Sequence, residues 1–286
     1  MISLCSQWFP YAISIHSAAD TSPALFAALV LLPPTALALL AVCKKALRGS
    51  ALVLAWGFAV IITFCGGLWA FAALAATFVC TMLAGKLSGQ TGHRIGAALH
   101  AKAGRRDAVQ IFCNVFVGTL MMLLFASTGQ RGFLWAYSGA MAASLADSMA
   151  SELGVLSKAQ PRDILTMKPV VKGISGGVTF LGLGASLLGA VIIAAFCAPI
   201  PGCGLILLPD AAAAGFFAAL CDSILGSVLQ VKYRCPSCGA LTEKKVHCDI
   251  SGIPEHGLTW VTNDTVNFVN NVLGALAALG LYFLHN

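Results

Sequence analysis

The chain has 286 residues, 58% of them hydrophobic and only 10% charged, against roughly 25% charged in soluble domains, which excludes a soluble globular enzyme. Its long Ala/Leu/Val runs do not alternate, which excludes a transmembrane β-barrel. A net charge of +6 would suit a nucleic-acid binder if the chain were soluble. In a membrane protein the excess of Lys and Arg in cytoplasmic connections accounts for it, and no nucleic-acid partner is expected.

Residues 1–23 contain no Lys or Arg. They lack the basic region of a signal peptide and read as an extracytoplasmic N-terminal segment. Residues 24–286 read as one integral-membrane domain, an all-α polytopic bundle of about eight spans near 24–43, 51–65, 67–85, 108–127, 132–150, 174–199, 204–230 and 262–284, since a span needs about 20 apolar residues. Residues 51–85 are too long for one span and are broken only at Gly66-Gly67, so they are read as two, with a tight re-entrant pair as the alternative. Sixteen of the seventeen Lys and Arg then fall in the connections 44–50, 86–107, 151–173 and 231–261, leaving only Arg131 opposite. The basic connections are therefore expected in the cytoplasm and both termini outside.

The motifs follow in chain order, all on the basic side. Lys102, Arg105 and Arg106 precede Asp107, Gln110 and Asn114, which share roughly one helical face. A solvated face touching lipid headgroups is the plain alternative, but Asn114 lies two turns into a span, where an amide wants a partner. Next come Asp147 and Ser151, one turn apart, and Ser148 and Glu152, likewise, at the end of the fifth span. Carboxylates this deep in an apolar run are functional candidates unless the helix end has emerged into water. Lys172 and the turn Gly173-Ile174-Ser175-Gly176-Gly177 then open the sixth span, where backbone N–H groups can hold an anion.

The seventh span carries Asp222, Gly226 and Gln230 at four-residue spacing, with Ser223 and Ser227 beside them. The eighth opens with Asn263, Asp264 and Asn267, continued by Asn270 and Asn271, a longer amide stripe than helix capping requires. Between these spans, Cys235 and Cys238 with His247 and Cys248 form a candidate zinc knuckle; a turn of reduced cytosolic thiols is the alternative. The other cysteines in apolar runs, such as Cys65 and Cys197, read as small hydrophobes.

Three carboxylates at one membrane face, Asp147, Asp222 and Asp264, suit Mg²⁺. Lys172, Gly173, Ser175, Gly176 and Gly177, with Lys102, Arg105 and Arg106, are placed to hold phosphates. The remaining polar residues of these motifs (Asp107, Asn114, Ser148, Glu152, Gln230, Asn263 and Asn267) are candidates to contact the nucleotide. There is no G-x-x-x-x-G-K-[ST] and no kinase signature, so any nucleotide site is of another kind. The residues alone reach a metal- and phosphate-handling site facing the cytosol. A membrane transporter or ion-coupled carrier with a cytoplasm-facing polar site is the competing class.

GRRDAVQIFCN, ADSMASELG, KGISGGVTFLG, DSILGSVLQ and NDTVNF, in this order, resemble the transmembrane protein 19 family, whose plant members are chloroplast phytyl-phosphate kinases. The similarity runs from about Ala51 to Leu284. It implies a nucleotide-dependent kinase, with CTP favoured over ATP, converting an isoprenoid monophosphate in the bilayer to the diphosphate, here at the cytoplasmic face of a bacterial inner membrane. The Cys235–Cys238 insertion is not part of the plant pattern.

Overall fold

A computed structural model describes residues 11–12, 22–99 and 105–285. The expected N-terminal segment lies almost wholly outside the described residues, and Lys102 lies outside them too. The described residues form seven helices: α1 (Pro23–Cys43), α2 (Gly49–Leu99), α3 (Ala108–Thr128), α4 (Gly132–Gly154), α5 (Phe180–Cys197), α6 (Leu207–Val228) and α7 (Asn263–His285). Six of these, all but α4, are long and apolar enough to cross a membrane.

The helix without that signature is the one the others enclose. α4 packs against α2, α3, α5, α6 and α7, and every residue from Leu134 to Ala146 is buried. Small residues permit the approach. A Cβ on Gly139 would strike the carbonyl oxygen of Gly274 in α7, and one on Gly274 would strike that of Gly139. Without a hydrophobic force between helices in lipid, such close contact is what holds a bundle together.

α2 departs from a single rod. Gly67 has φ 71° and ψ −169°, a left-handed conformation that glycine alone adopts freely. Ala55 and Ala59 before it line the same cavity as Phe78 and Leu74 after it. These pairs are equidistant from the break, so the two arms run antiparallel, with the reversal where the sequence reading put it.

Hydrogen bonds and contacts define two ends. At one, Arg48 N donates to Arg106 O at 3.0 Å and Glu243 N to Leu99 O at 2.9 Å, while Ser88 Oγ donates to Glu152 at 3.1 Å. At the other, Tyr11 N donates to Ala126 O at 3.0 Å, and Gly202 lies beside Arg131. The basic connections thus gather at one end of the bundle.

Two expectations are corrected. The sixth span was expected from 174, but α5 starts only at Phe180, behind an N-cap in which Thr179 Oγ accepts from Gly182 N at 3.0 Å. Gly173 and Gly176 have φ of 90° and 87°, which no helix accommodates, and β2 (Gly177–Val178) pairs antiparallel with β1 (Arg162–Asp163). The fold is also not purely α. Between α6 and α7, β3 (Lys232–Arg234) pairs with β4 (Leu241–Thr242) and β7 (Ile253–His256), and β5 (Val246–His247) pairs with β6 (Ile250–Ser251). Strands this short have too little alternation to be read from sequence.

Candidate functional site

Two carboxylates from different helices meet near the basic end. Asp147 lies about two turns before the end of α4 and Asp222 about two turns before the end of α6, and their carboxylates are close enough to interact directly. The helices come this close because Gly215 of α6 sits against the backbone of Ala142 and Ala143. Two bare carboxylates at that separation repel, so the pair calls for a positive charge between them, a proton or a cation. Asp222 Oδ1 is buried and has no hydrogen-bond partner.

The pair faces a cleft of about 870 Å³, its open mouth included, whose polar walls are Ser151, Ser186, Ser223, Asn263, Lys172 and the stretch Gly173–Thr179. Ser186 Oγ is likewise buried without a partner. Sequence reading passed over Ser186, since a lone helical serine more often bonds back one turn, as Ser138 does to Leu134 O at 2.8 Å.

The glycine stretch is held from two sides. Gly176 rests on the end of α6, where a Cβ would collide with the backbone of Ser227. On the outer side, Asp163 accepts from Leu165 N at 3.1 Å, Thr166 N at 2.8 Å, Thr166 Oγ at 3.0 Å and Ser227 Oγ at 2.5 Å. Burial alone would raise the Asp163 pKa, but the hydrogen bonds from Ser227, Thr166 and Leu165 outweigh it and hold the carboxyl down at about 2. Ile164 N completes the fastening by donating to Gly176 O at 3.0 Å.

Ser175 corrects an expectation. Its N–H and its hydroxyl both donate to Glu243 Oε1, at 2.9 and 2.5 Å, so both donors are already engaged by a carboxylate. Glu243 sits at the end of β4 and is buried, as is Lys232 of β3. Burial pushes the Lys232 ammonium pKa down, against the pull of Glu243 and Asp163. Neither Glu243 nor Asp163 was legible as a site residue, because Glu243 meets Ser175 of the loop across sixty-eight residues of chain and Asp163 meets Ser227 of α6 across sixty-four. Lys172 lines the cleft, its Nζ donating to Ser157 O at 2.6 Å.

Other expected residues are distributed more widely. Asp264 was expected to converge with Asp147 and Asp222, but Asn263 lines the cleft and Asp264 does not; one residue further on, a helix has turned by about 100°. Asn270 and Asn271 tie helices together, donating to Ala143 O at 3.2 Å and Cys113 O at 3.0 Å. Asn267 O accepts from Asn271 at 2.9 Å, and Asn267 lies outside the cleft lining. Ser148 and Glu152 also lie outside it, Glu152 accepting from Ser88. Gln230 falls beyond the end of α6, buried at the junction with the β-lobe, where it bridges to Leu258.

Asp107 caps α3, accepting from Gln110 N at 2.9 Å while Gln110 Oε1 accepts from Asp107 N at 3.1 Å. Asn114 donates to Gln110 O at 2.8 Å and accepts from Ser144 Oγ at 3.4 Å. Arg105 is exposed. Arg106 lies within electrostatic reach of Glu152 and Asp147. Cys235, Cys238, His247 and Cys248 come together, all four ligand atoms lying within 4.8 Å of one another.

The family model described as "Integral membrane protein DUF92" matches residues 32–275. The chain belongs to this family. Protein PGR of Arabidopsis thaliana is 31% identical over 203 residues, 60% of this chain and 67% of that protein. PGR is a member of the same family, the one resembling transmembrane protein 19. The uncharacterized membrane protein MJ0933 of Methanocaldococcus jannaschii is 36% identical over 128 residues, 42% of this chain and 51% of its own length. The uncharacterized membrane protein sll0875 of Synechocystis is 26% identical over 199 residues, 68% and 66% respectively. The matched stretch thus spans about two thirds of the plant and cyanobacterial relatives and about half of the archaeal one. No solved structure matches the chain.

Proposed function

We propose that the cleft is the active site of a membrane-embedded kinase. It would transfer a phosphoryl group from a nucleoside triphosphate, CTP in preference to ATP, to an isoprenoid monophosphate, giving the diphosphate. The observation that carries this reading is the Asp147–Asp222 pair, with its buried partnerless oxygen, facing a cleft also lined by Lys172 and the glycine stretch. Adjacent hard oxygen donors fit Mg²⁺, which takes one or two protein carboxylates and fills its shell with water and phosphate oxygens. Asp147 and Asp222 would hold the ion, and bound there it neutralises charge on the transferred group.

The protein's own part is positioning. Lys172 supplies a cation to the cleft wall, while Gly176 fixes the loop against α6. The attacking oxygen of a monophosphate is already anionic near neutral pH, so no strong base is needed. A second cavity of about 670 Å³, mouth included, lies between α1, both arms of α2, α3 and α4. Leu37, Leu52, Leu74, Phe78 and Val115 line it, with Thr77, Arg106, Asn114 and Ser144 as its polar members. We assign the hydrocarbon chain to this cavity. Arg106, in electrostatic reach of Asp147, would then attract the acceptor phosphate toward the cleft.

The test incubates the purified full chain with CTP or ATP and a panel of isoprenoid monophosphates, with and without Mg²⁺. Mg²⁺-dependent diphosphate formation is expected, falling about 10²–10³-fold in Asp222→Asn, as when one electrostatic stabiliser of a transition state is removed. A folded Asp222→Asn protein with wild-type turnover overturns this site. Ion uptake by proteoliposomes without phosphoryl transfer would favour the carrier reading instead.

A further inference from the structure

The Cys235 group stands apart from the cleft and raises its own question. Cys238 Sγ and Cys248 Sγ are 3.8 Å apart, far beyond the roughly 2.05 Å of a disulfide. His247 Nδ1 lies 3.5 Å from Cys238 Sγ and 3.3 Å from Cys248 Sγ. A tetrahedral zinc ion with Zn–S near 2.3 Å and Zn–N near 2.0–2.1 Å puts its ligands about 3.8 Å apart for S···S and about 3.5 Å for S···N. These three separations match the edges of such a tetrahedron, and Cys235 Sγ, within 4.8 Å of the others, is placed to complete it.

The backbone is shaped to allow it. Cys235 N donates to Ala240 O and Gly239 N to Cys235 O, both at 2.9 Å, closing a tight knuckle around Pro236 and Ser237. Adjacent residues ordinarily point apart, which is why neighbouring ligands look unpromising in sequence. Here Cys248 and Asp249 both adopt positive φ, 54° and 59°, and the left-handed turn brings Cys248 to the same side as His247.

We infer that Cys235, Cys238, His247 and Cys248 bind one structural Zn²⁺, and that this ion fixes the β-lobe which carries Glu243 to the glycine loop. β3 links the knuckle to the end of α6, while β4, paired with β3, leads directly into Glu243. Thr242 Oγ and Glu243 N both donate to Leu99 O, at 3.0 and 2.9 Å, and Glu243 receives Ser175. A site with four protein ligands has no open position, so the ion's role is structural. The inference does not depend on which reaction the cleft performs.

The experiment uses the full chain purified in detergent without chelators. Elemental analysis is expected to give about one equivalent of zinc per chain, lost in Cys238→Ser. Because that variant can fail to fold, a second measurement is made on the wild-type protein. Zinc is removed and Co²⁺ added, which should produce thiolate-to-cobalt absorption in the near ultraviolet and the visible bands of a tetrahedral ion. Release of zinc should also increase proteolysis within residues 231–261. Wild-type protein that contains no metal and gives no tetrahedral cobalt spectrum overturns the inference, as does one equivalent of iron in place of zinc.

Discussion

Asp163 and Asp222 are two ways of keeping a carboxylate beside an apolar core. Both oxygens of Asp163 receive donors, from Leu165, Thr166 and Ser227, whereas Asp222 keeps one buried oxygen without any. Leaving such a group unsatisfied costs about 1–3 kcal/mol, so Asp222 is held by the fold at a cost that a bound cation would offset. Asp163 instead contributes to stability, and its sign can be checked by pH. Its folded pKa of about 2 lies below the usual value of about 3.9. Its contribution is therefore complete above about pH 5 and lost as pH falls toward 2. Asp163→Asn is expected to melt lower than wild type at pH 7 and to lose less stability between pH 5 and pH 3, so that the two curves converge. Parallel curves across that range would show that the carboxylate charge does not hold the loop.

At the scale of elements, the bundle is organised by where backbones touch. Gly139 and Gly274 place the carbonyl of each helix where the other's Cβ would be, while Gly57 in the first arm of α2 has open space beside it. Gly139→Val is expected to destabilise by at least the 1–3 kcal/mol typical of overpacking, read as a lowered melting temperature in detergent. Gly57→Ala should be neutral or slightly stabilising; equal effects at the two positions would remove the packing argument. The apolar runs made the helices legible, and Gly66-Gly67 made the reversal in α2 legible, because one glycine pair was the only break in a stretch too long for one crossing. Asp147 and Asp222 could be picked out because a carboxylate inside an apolar run is conspicuous. The start of α5 was missed because alternating glycines look helical-neutral until their positive φ is known. Glu243 and Ser175 were illegible as a pair, since nothing local in either segment names a partner sixty-eight residues away. Which of Asn263 and Asp264 lines the cleft was illegible for a smaller reason: at a helix start, adjacent Asn and Asp are equally plausible until the rotation of the helix is known.

For the whole molecule, orientation is the remaining question, and charge decides what to expect. Among the described residues, fifteen of the sixteen Lys and Arg belong to connections that gather at one end of the bundle, and Arg131 is at the other beside Gly202. Cytoplasmic loops retain such residues because translocating them is unfavourable, so the basic end should face the cytoplasm. The cleft, the Cys group and the mouth near Arg106 would face it too. That requires the two arms of α2 to cross separately and α4 to cross within the shelter of its neighbours, eight crossings in all. Counting α2 as one crossing would put Arg48 and Leu99 on opposite sides, yet Arg48 bonds Arg106, a few residues beyond Leu99. Cysteines introduced at Arg162 and Gly202, in a chain whose Cys5 and Cys43 are replaced while Cys238 and Cys248 are kept as zinc ligands, and with the labelled position identified by peptide mass, separate the alternatives. A membrane-impermeant maleimide on intact cells should label position 202 and leave position 162 unlabelled until the membrane is opened. Labelling of 162 from outside would invert the protein and put the cleft beyond reach of cytosolic nucleotides, ending the kinase reading along with the orientation.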